Sequence, residues 1–156
     1  MIIIVTGSVC TGKTTHAKRL VREKKKKGMK YKYIDVTKLI LSNKKKVGAN
    51  FNRKFKTYDV DTDKLNKLLT EQIEEAKKQK ISLVIDSHLS HYLPARFVDL
   101  CIVTRCSDLK KLKNRLKRRG YSKQKIEDNL EAEIMESCLQ DAIAMGHKIK
   151  IVDTCK

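Results

Sequence analysis

The chain has no tryptophan, a single proline and few aromatic side chains, which make up only 5% of its residues. So small a supply excludes an extended platform of stacking rings, and any contact with RNA is expected to fall mainly on phosphates. Long apolar runs are missing too. No stretch approaches the roughly 18 residues of a membrane-spanning helix, and the apolar start, Met1 to Val5, is broken by Thr6 and Gly7 before it reaches the length of a secretory segment. The expectation is a soluble, cytoplasmic protein with no membrane partner. Paired cysteine spacings are absent. Cys10, Cys101, Cys106, Cys138 and Cys155 match no zinc site, and an odd number argues against a disulfide framework. All five are expected as reduced thiols packed like small apolar residues. Acidic residues are outnumbered, 18 against 36 basic ones, for a formal charge of +18. Such an excess favours a polyanionic partner such as RNA, because each phosphate neutralised releases counterions. Solubility, or balance against a cytoplasm of high ionic strength, is the alternative use. With neither repeats nor linker-like segments, residues 1–156 read as one domain large enough for a single core.

What is present alternates. Ile2-Ile3-Ile4-Val5 is a β-branched run suited to a strand buried on both faces of a parallel sheet. A glycine-bearing loop follows, and from Lys13 the pattern turns helical, with Ala17, Leu20 and Val21 on one side and lysines 24 to 27 at the end where they complement the helix dipole. Tyr31 to Val36 reads as a second strand. Thr37 to Tyr58 is basic and weakly patterned, with Gly48, Asn50 and Asn52 as loop formers. Asp61 or Thr62 caps a helix carrying Leu65, Leu68, Leu69, Ile73 and Ala76. Ile81 to Ile85 and Val98 to Val103 are further strands. Ser107 or Asp108 caps a basic helix halted at Gly120. Ser122 starts one long helix through Ile126, Leu130, Ile134, Cys138 and Ala142, closed by Gly146, and Ile149 to Val152 is the fifth strand. This order implies an α/β fold with a five-stranded, mainly parallel sheet and helices on both faces.

Gly7-Ser8-Val9-Cys10-Thr11-Gly12-Lys13-Thr14 satisfies G-x-x-x-x-G-K-[ST] and lies between a buried strand and a helix. In that setting backbone N–H groups and the helix dipole converge on phosphates. Lys13 is expected to reach the β- and γ-phosphates of ATP, and the Thr14 hydroxyl to ligate Mg²⁺. Asp86, at the end of the third strand, is the candidate second partner of the metal; a helix or turn cap is its bland alternative. In Asp86-Ser87-His88-Leu89-Ser90-His91, an acid and two histidines are few ligands for a transition metal. His88 is read instead as a polar group near the γ-phosphate, orienting a water or stabilising charge. Arg115-Leu116-Lys117-Arg118-Arg119-Gly120-Tyr121 ends a helix at a glycine, and Arg119 is the candidate to meet a phosphoryl group in transit. A solvated basic face is the reading for Lys110, Lys111 and Lys113.

These motifs together resemble one family. Gly7 to Thr15, the Asp86-x-His88 strand end, Arg115 to Ser122 and the segment Lys125 to Ile134 are similar to the archaeal and nuclear adenylate kinases, also called the adenylate kinase isoenzyme six or Fap-seven family. The resemblance implies a P-loop nucleoside-monophosphate kinase core. It places a monophosphate-binding region at about residues 36–58 and a short lid at about residues 118–128. It implies adenylate kinase activity from ATP to AMP and ATP hydrolysis. It further implies a role in maturing the small ribosomal subunit (16S rRNA processing), with contacts to a small-subunit platform protein and rRNA. Carried over, the ATP-loop positions fall on Cys10, Gly12, Lys13, Thr14 and Thr15, the lid arginine on Arg119 and the histidine needed for activity on His88. Three departures stand out. Cys10 replaces a glycine, so its side chain is expected to point away from the phosphates. The lysine-rich monophosphate region matches loosely, with Arg53 as its candidate AMP contact. The sequence stops at Lys156, before the closing helix of longer relatives. The alternative reading is a nucleotide-switched ribosome-assembly ATPase, or a nucleotide-gated ribonucleoprotein-binding module with little kinase role.

Overall fold

The protein is described by a computed structural model, which covers residues 1–54 and 56–156. Its centre is a five-stranded parallel sheet in the order β2-β5-β1-β6-β7. The strands are β1 (Ile2–Gly7), β2 (Tyr31–Asp35), β5 (Ser82–Asp86), β6 (Leu100–Arg105) and β7 (Ile149–Asp153). β1, first in sequence, lies in the middle, paired with β5 on one side and β6 on the other. All six of its residues are buried, which is why it reads as an unbroken apolar run instead of an alternating one.

Alternation along β1 assigns the two layers. Ile2 and Ile4 join Leu83, Ile85, Cys101 and Val103 beneath helix α3 (Thr62–Lys78), whose Leu65, Leu68, Leu69 and Ile73 are at most 3% exposed. Ile3 and Val5 point the other way, with Val84 and Ile102, onto Ala17 and Val21 of α1 (Lys13–Lys26). Each such side chain contributes about 1.5–3 kcal/mol of burial free energy, so β1 alone anchors both layers. Asp61, not Thr62, caps α3, its carboxylate accepting from the Lys64 N–H at 3.1 Å. Asp108 caps α4 (Leu109–Arg118) in the same way through the Lys111 N–H at 3.0 Å.

Three expectations need correction. The segment after β2 carries regular structure: Asp35 caps a short helix, α2 (Val36–Ser42), and β3 (Asn50–Asn52) pairs antiparallel with β4 (Thr57–Asp59). Val36 and Val47 are fully buried and Leu39, Ile40, Ala49 and Val60 pack on the core, so the segment is pinned at both ends. The helix expected from Ser122 to Ala142 is two helices, α5 (Lys123–Ile134) and α6 (Ser137–Ala144). They are broken at Glu136, which sits at φ 52°. The break turns two carboxylates toward the end of β6: Glu133 accepts from the Cys106 N–H at 2.8 Å, and Glu136 pairs with Arg105 at 3.0 Å. Finally, Cys106 and Cys155 form a disulfide, so not all five cysteines are thiols. Their spacing of 49 residues gives no hint of it, but the parallel register Arg105↔Asp153 sets the chain just beyond the two strands side by side. Among the described residues no helix is long and apolar enough to cross a membrane.

Candidate nucleotide site

The loop between β1 and α1 is shaped from behind. Gly7 has φ 145°, and a Cβ there would lie 2.4 Å from the Thr104 carbonyl oxygen on β6. Thr11 donates to the Ser8 carbonyl at 2.7 Å and shares a hydrogen bond with the Thr104 hydroxyl at 2.8 Å. The Thr154 hydroxyl, after β7, donates to the Thr11 carbonyl at 2.7 Å. Gly12 is the N-cap of α1 at φ 81°, and a Cβ on it would meet the Thr154 side chain at 3.2 Å. Cys10 takes φ 65°, a conformation in which glycine is relaxed and cysteine is strained. Its side chain packs on a third apolar cluster with Leu116, Ile126, Tyr121 and Leu130, and its carbonyl accepts from Arg115 at 3.2 Å.

Lys13 projects over this loop and donates to the Ser8 carbonyl at 2.7 Å. Burial lowers its pKa, and the neighbouring Asp86 pulls it back up. Asp86 is 6% exposed, and its Oδ2 accepts from the Thr14 hydroxyl at 2.6 Å and from the Tyr33 hydroxyl at 2.7 Å. Tyr33, on β2, had no signal in the sequence beyond strand propensity. Burial, and then its bond to Asp86, raise its phenol well above the ordinary range. Thr14 and Asp86 thus bring a hydroxyl and a carboxylate oxygen together beside the phosphate loop, a hard-oxygen pair that suits Mg²⁺.

The two histidines part company. His88 opens on the cleft and is itself exposed there; partial desolvation and then the Lys13 ammonium lower its pKa to about 4. His91 turns inward, 2% exposed, sharing a 2.7 Å hydrogen bond between its Nδ1 and the Thr6 hydroxyl and lying 3.5 Å from Asp141. Among the described residues no group of three His, Cys, Asp or Glu side chains could hold a metal ion by itself.

One cleft of about 1180 Å³ gathers Cys10, Gly12, Lys13, Thr14, Thr15, Asp86, His88 and Arg119. Arg119 ends α4 on its outer wall with Arg115, Arg118 and Tyr121. Its guanidinium pKa is raised, first by hydrogen bonding to Tyr121. On the other side Asp35, Thr37 and Thr57 bring the 36–58 segment to the cleft. Asp35 and Thr37 gave no such signal, since Tyr31 to Val36 read as a strand and the residues after it as weakly patterned; the structure makes them the cap and first turn of α2. Thr57 and Thr154 were not, because only tertiary contacts bring them in. Arg53 is exposed in the hairpin turn and is not part of the cleft lining.

A family model described as an AAA domain matches residues 3–136. The adenylate kinase isoenzyme 6 homolog of Schizosaccharomyces pombe is 38% identical over 140 residues, covering 90% of this chain and 73% of its own. The Caenorhabditis elegans adenylate kinase isoenzyme 6 homolog is 33% identical over 140 residues, covering 90% of this chain and 71% of its own. The crystal structure of APE1195 superimposes with a TM-score of 0.51, covering 99% of this chain and 85% of its own at 17% identity, which is a likeness of fold.

Proposed function

The chain belongs to the adenylate kinase isoenzyme 6 family of P-loop kinases, and on that premise we propose that it is an ATP:AMP phosphotransferase that also hydrolyses ATP. The observation that carries the reading is the convergence of Lys13, the Thr14–Asp86 pair, His88 and Arg119 on one cleft, with Asp35, Thr37 and Thr57 facing them. At about 1180 Å³ the cleft exceeds the roughly 300–1,000 Å³ of a single-ligand site, so it has room for a donor and an acceptor nucleotide.

In the proposed reaction a phosphate oxygen of AMP attacks the γ-phosphorus of ATP in line, the bond to the β,γ-bridging oxygen breaks, and two ADP molecules result. Loop N–H groups and the Lys13 ammonium hold the β- and γ-phosphates, and Arg119 approaches the transferring group from the lid, about residues 118–128. His88 orients the acceptor oxygen, or a water when AMP is absent. Thr14 and Asp86 would hold Mg²⁺, which supplies charge neutralisation at the phosphates when bound. Residues 36–58 take the monophosphate, through Thr37 and Thr57 in place of Arg53. Product analysis of [γ-³²P]ATP with and without AMP tests this. Labelled ADP is expected only with AMP and is lost in Lys13→Ala; unchanged ADP formation in that variant overturns the reading.

A second use is motivated by the charge of +18: a cytoplasmic assembly ATPase acting on the small ribosomal subunit, its nucleotide cycle switching contacts with rRNA and a platform protein. Free phosphate as the main product, stimulated by pre-ribosomal particles and not by AMP, is the result expected of it.

A further inference from the structure

Away from the cleft, the opposite flank of α1 and the adjoining strand β2 form a groove whose charge has no use in phosphotransfer. One end is lined by Lys18, Val21, Arg22, Lys25, Lys26 and Tyr33, and its continuation shares Lys25 and Tyr33 and adds Lys30 and Lys32. All six cations are exposed, no acidic residue lines either stretch, and none of the six is in an ion pair among the described residues. By contrast Arg19, on the same helix, is paired with Glu23. Lys18 to Lys26 spans roughly 12 Å of helix, and Lys30 and Lys32 extend the row along the sheet edge.

We infer that this groove is a track for the backbone of a single nucleic-acid strand. A row of unneutralised cations along a shallow groove fits a phosphodiester chain, which offers one charge per step and gains counterion entropy at each contact. The half-buried Tyr33 ring, with the Lys18 ammonium 5.5 Å from its centroid, gives the track an aromatic wall. A protein partner would look for an apolar anchor at the centre of the patch. Here the strongly exposed apolar side chain, Met29, stands at one end. Tyr33 also ties the track to the cleft, since its ring lines the groove while its hydroxyl holds Asp86. The inference gives the assembly reading a surface but does not depend on phosphotransfer, because it is read by binding alone.

The test is fluorescence anisotropy of a labelled oligouridylate of twelve nucleotides with the full chain, without nucleotide, across a potassium chloride series. Six phosphate contacts, one for each cation of the track, predict a slope of log K against log salt of about −4. Arg22→Glu/Lys25→Glu/Lys26→Glu is expected to weaken binding at least tenfold and to flatten that slope by about 2. Lys110→Glu/Lys113→Glu/Lys117→Glu, which changes the net charge equally on α4, is expected to change affinity less than threefold. Equal losses in the two variants would mean net charge alone and overturn the assignment. So would a polyglutamate peptide of matching charge that competes as well as unlabelled RNA. Should the triple variant unfold by circular dichroism, Lys25→Gln/Lys26→Gln replaces it, with a threefold loss expected and no loss refuting. ADP formation measured on the same preparations separates failure here from failure of the kinase reading.

Discussion

Replacing Gly7 by alanine should damage this protein far more than the same change at Gly12, although both glycines belong to one phosphate-loop motif. At Gly7 a Cβ would lie 2.4 Å from the Thr104 carbonyl and 2.5 Å from its hydroxyl, about 1 Å inside van der Waals contact. The obstacle is the backbone of β6, held to β1 by the register Gly7↔Thr104, and cannot rotate away. Relief would pull β1 and β6 apart and disturb the buried hydroxyls of Thr11 and Thr104. Overpacking of this kind costs about 1–3 kcal/mol, a lost buried hydrogen bond about 1 kcal/mol, and a side chain at φ 145° about 1–3 kcal/mol more. The total, about 3–7 kcal/mol, is a large share of the roughly 5–15 kcal/mol that holds a domain together. At Gly12 the strain of φ 81° is about 1–2 kcal/mol, and the neighbour, 3.2 Å away, is a Thr154 side chain that can shift. Equilibrium urea unfolding read by far-ultraviolet circular dichroism compares them. With a slope of about 2 kcal/mol per molar, Gly7→Ala lowers the midpoint by about 1.5–3.5 M and Gly12→Ala by about 1 M or less. A Gly7→Ala midpoint within 0.5 M of the parent protein (about 1 kcal/mol at that slope), or a larger loss at Gly12, would refute the reasoning.

The buried His91 has its pKa lowered by burial, against a smaller upward pull from Asp141. Its unfolded form therefore takes up a proton first, so stability is full above about pH 6.5 and falls as the pH drops below it, by up to about 1.4 kcal/mol per pH unit; His91→Gln should flatten the urea midpoint between pH 6.5 and 5, and an unchanged slope would count against this. Thiol titration in denaturant should find three reactive cysteines before reduction and five after it, because Cys106 and Cys155 are joined. In the native state Cys101 should resist alkylation at pH 8, its thiol being buried and pushed up to about 12; rapid labelling there would contradict the packing. Removing the Tyr33 hydroxyl leaves Asp86 with one donor, so Tyr33→Phe should raise the half-saturating Mg²⁺·ATP concentration roughly tenfold, the effect of losing a charge-assisted hydrogen bond; an unchanged value in steady-state assays would show that Thr14 suffices.

Much of this arrangement was legible in the residues themselves. The apolar run at β1, the amphipathic stripe of α3 and the loop motif each depend on local spacing, and all stand where that spacing puts them. Lys13, Thr14, Asp86 and His88 could be located because strand ends and loop starts are local features. What escaped is non-local. The expected long helix breaks at Glu136, where the carboxylate meets Arg105 from the end of β6, and no i, i+4 pattern carries that information. Thr154 and Thr57 reach the cleft through the sheet and the hairpin. The cysteine pair joins positions that only the parallel register of β6 and β7 brings together. Arg53 lies outside the cleft lining, exposed in the hairpin turn; a basic residue in a basic loop carries no directional signal in the sequence.

The stitch from Thr154 to the Thr11 carbonyl has a consequence for the order in which the molecule comes together. It spans 143 positions, and the Thr11–Thr104 hydrogen bond spans 93. β1 leaves the ribosome well before its two partner strands, which begin at residues 82 and 100. High sequence separation makes such closures slow, and during synthesis they cannot begin until the distant segment has emerged. The phosphate loop is therefore made long before the segments that complete it. A nascent chain has a partner for each edge of its apolar strand β1 only once β6 has emerged, and gains a finished anion cradle only when β7 docks and Thr154 closes behind the loop.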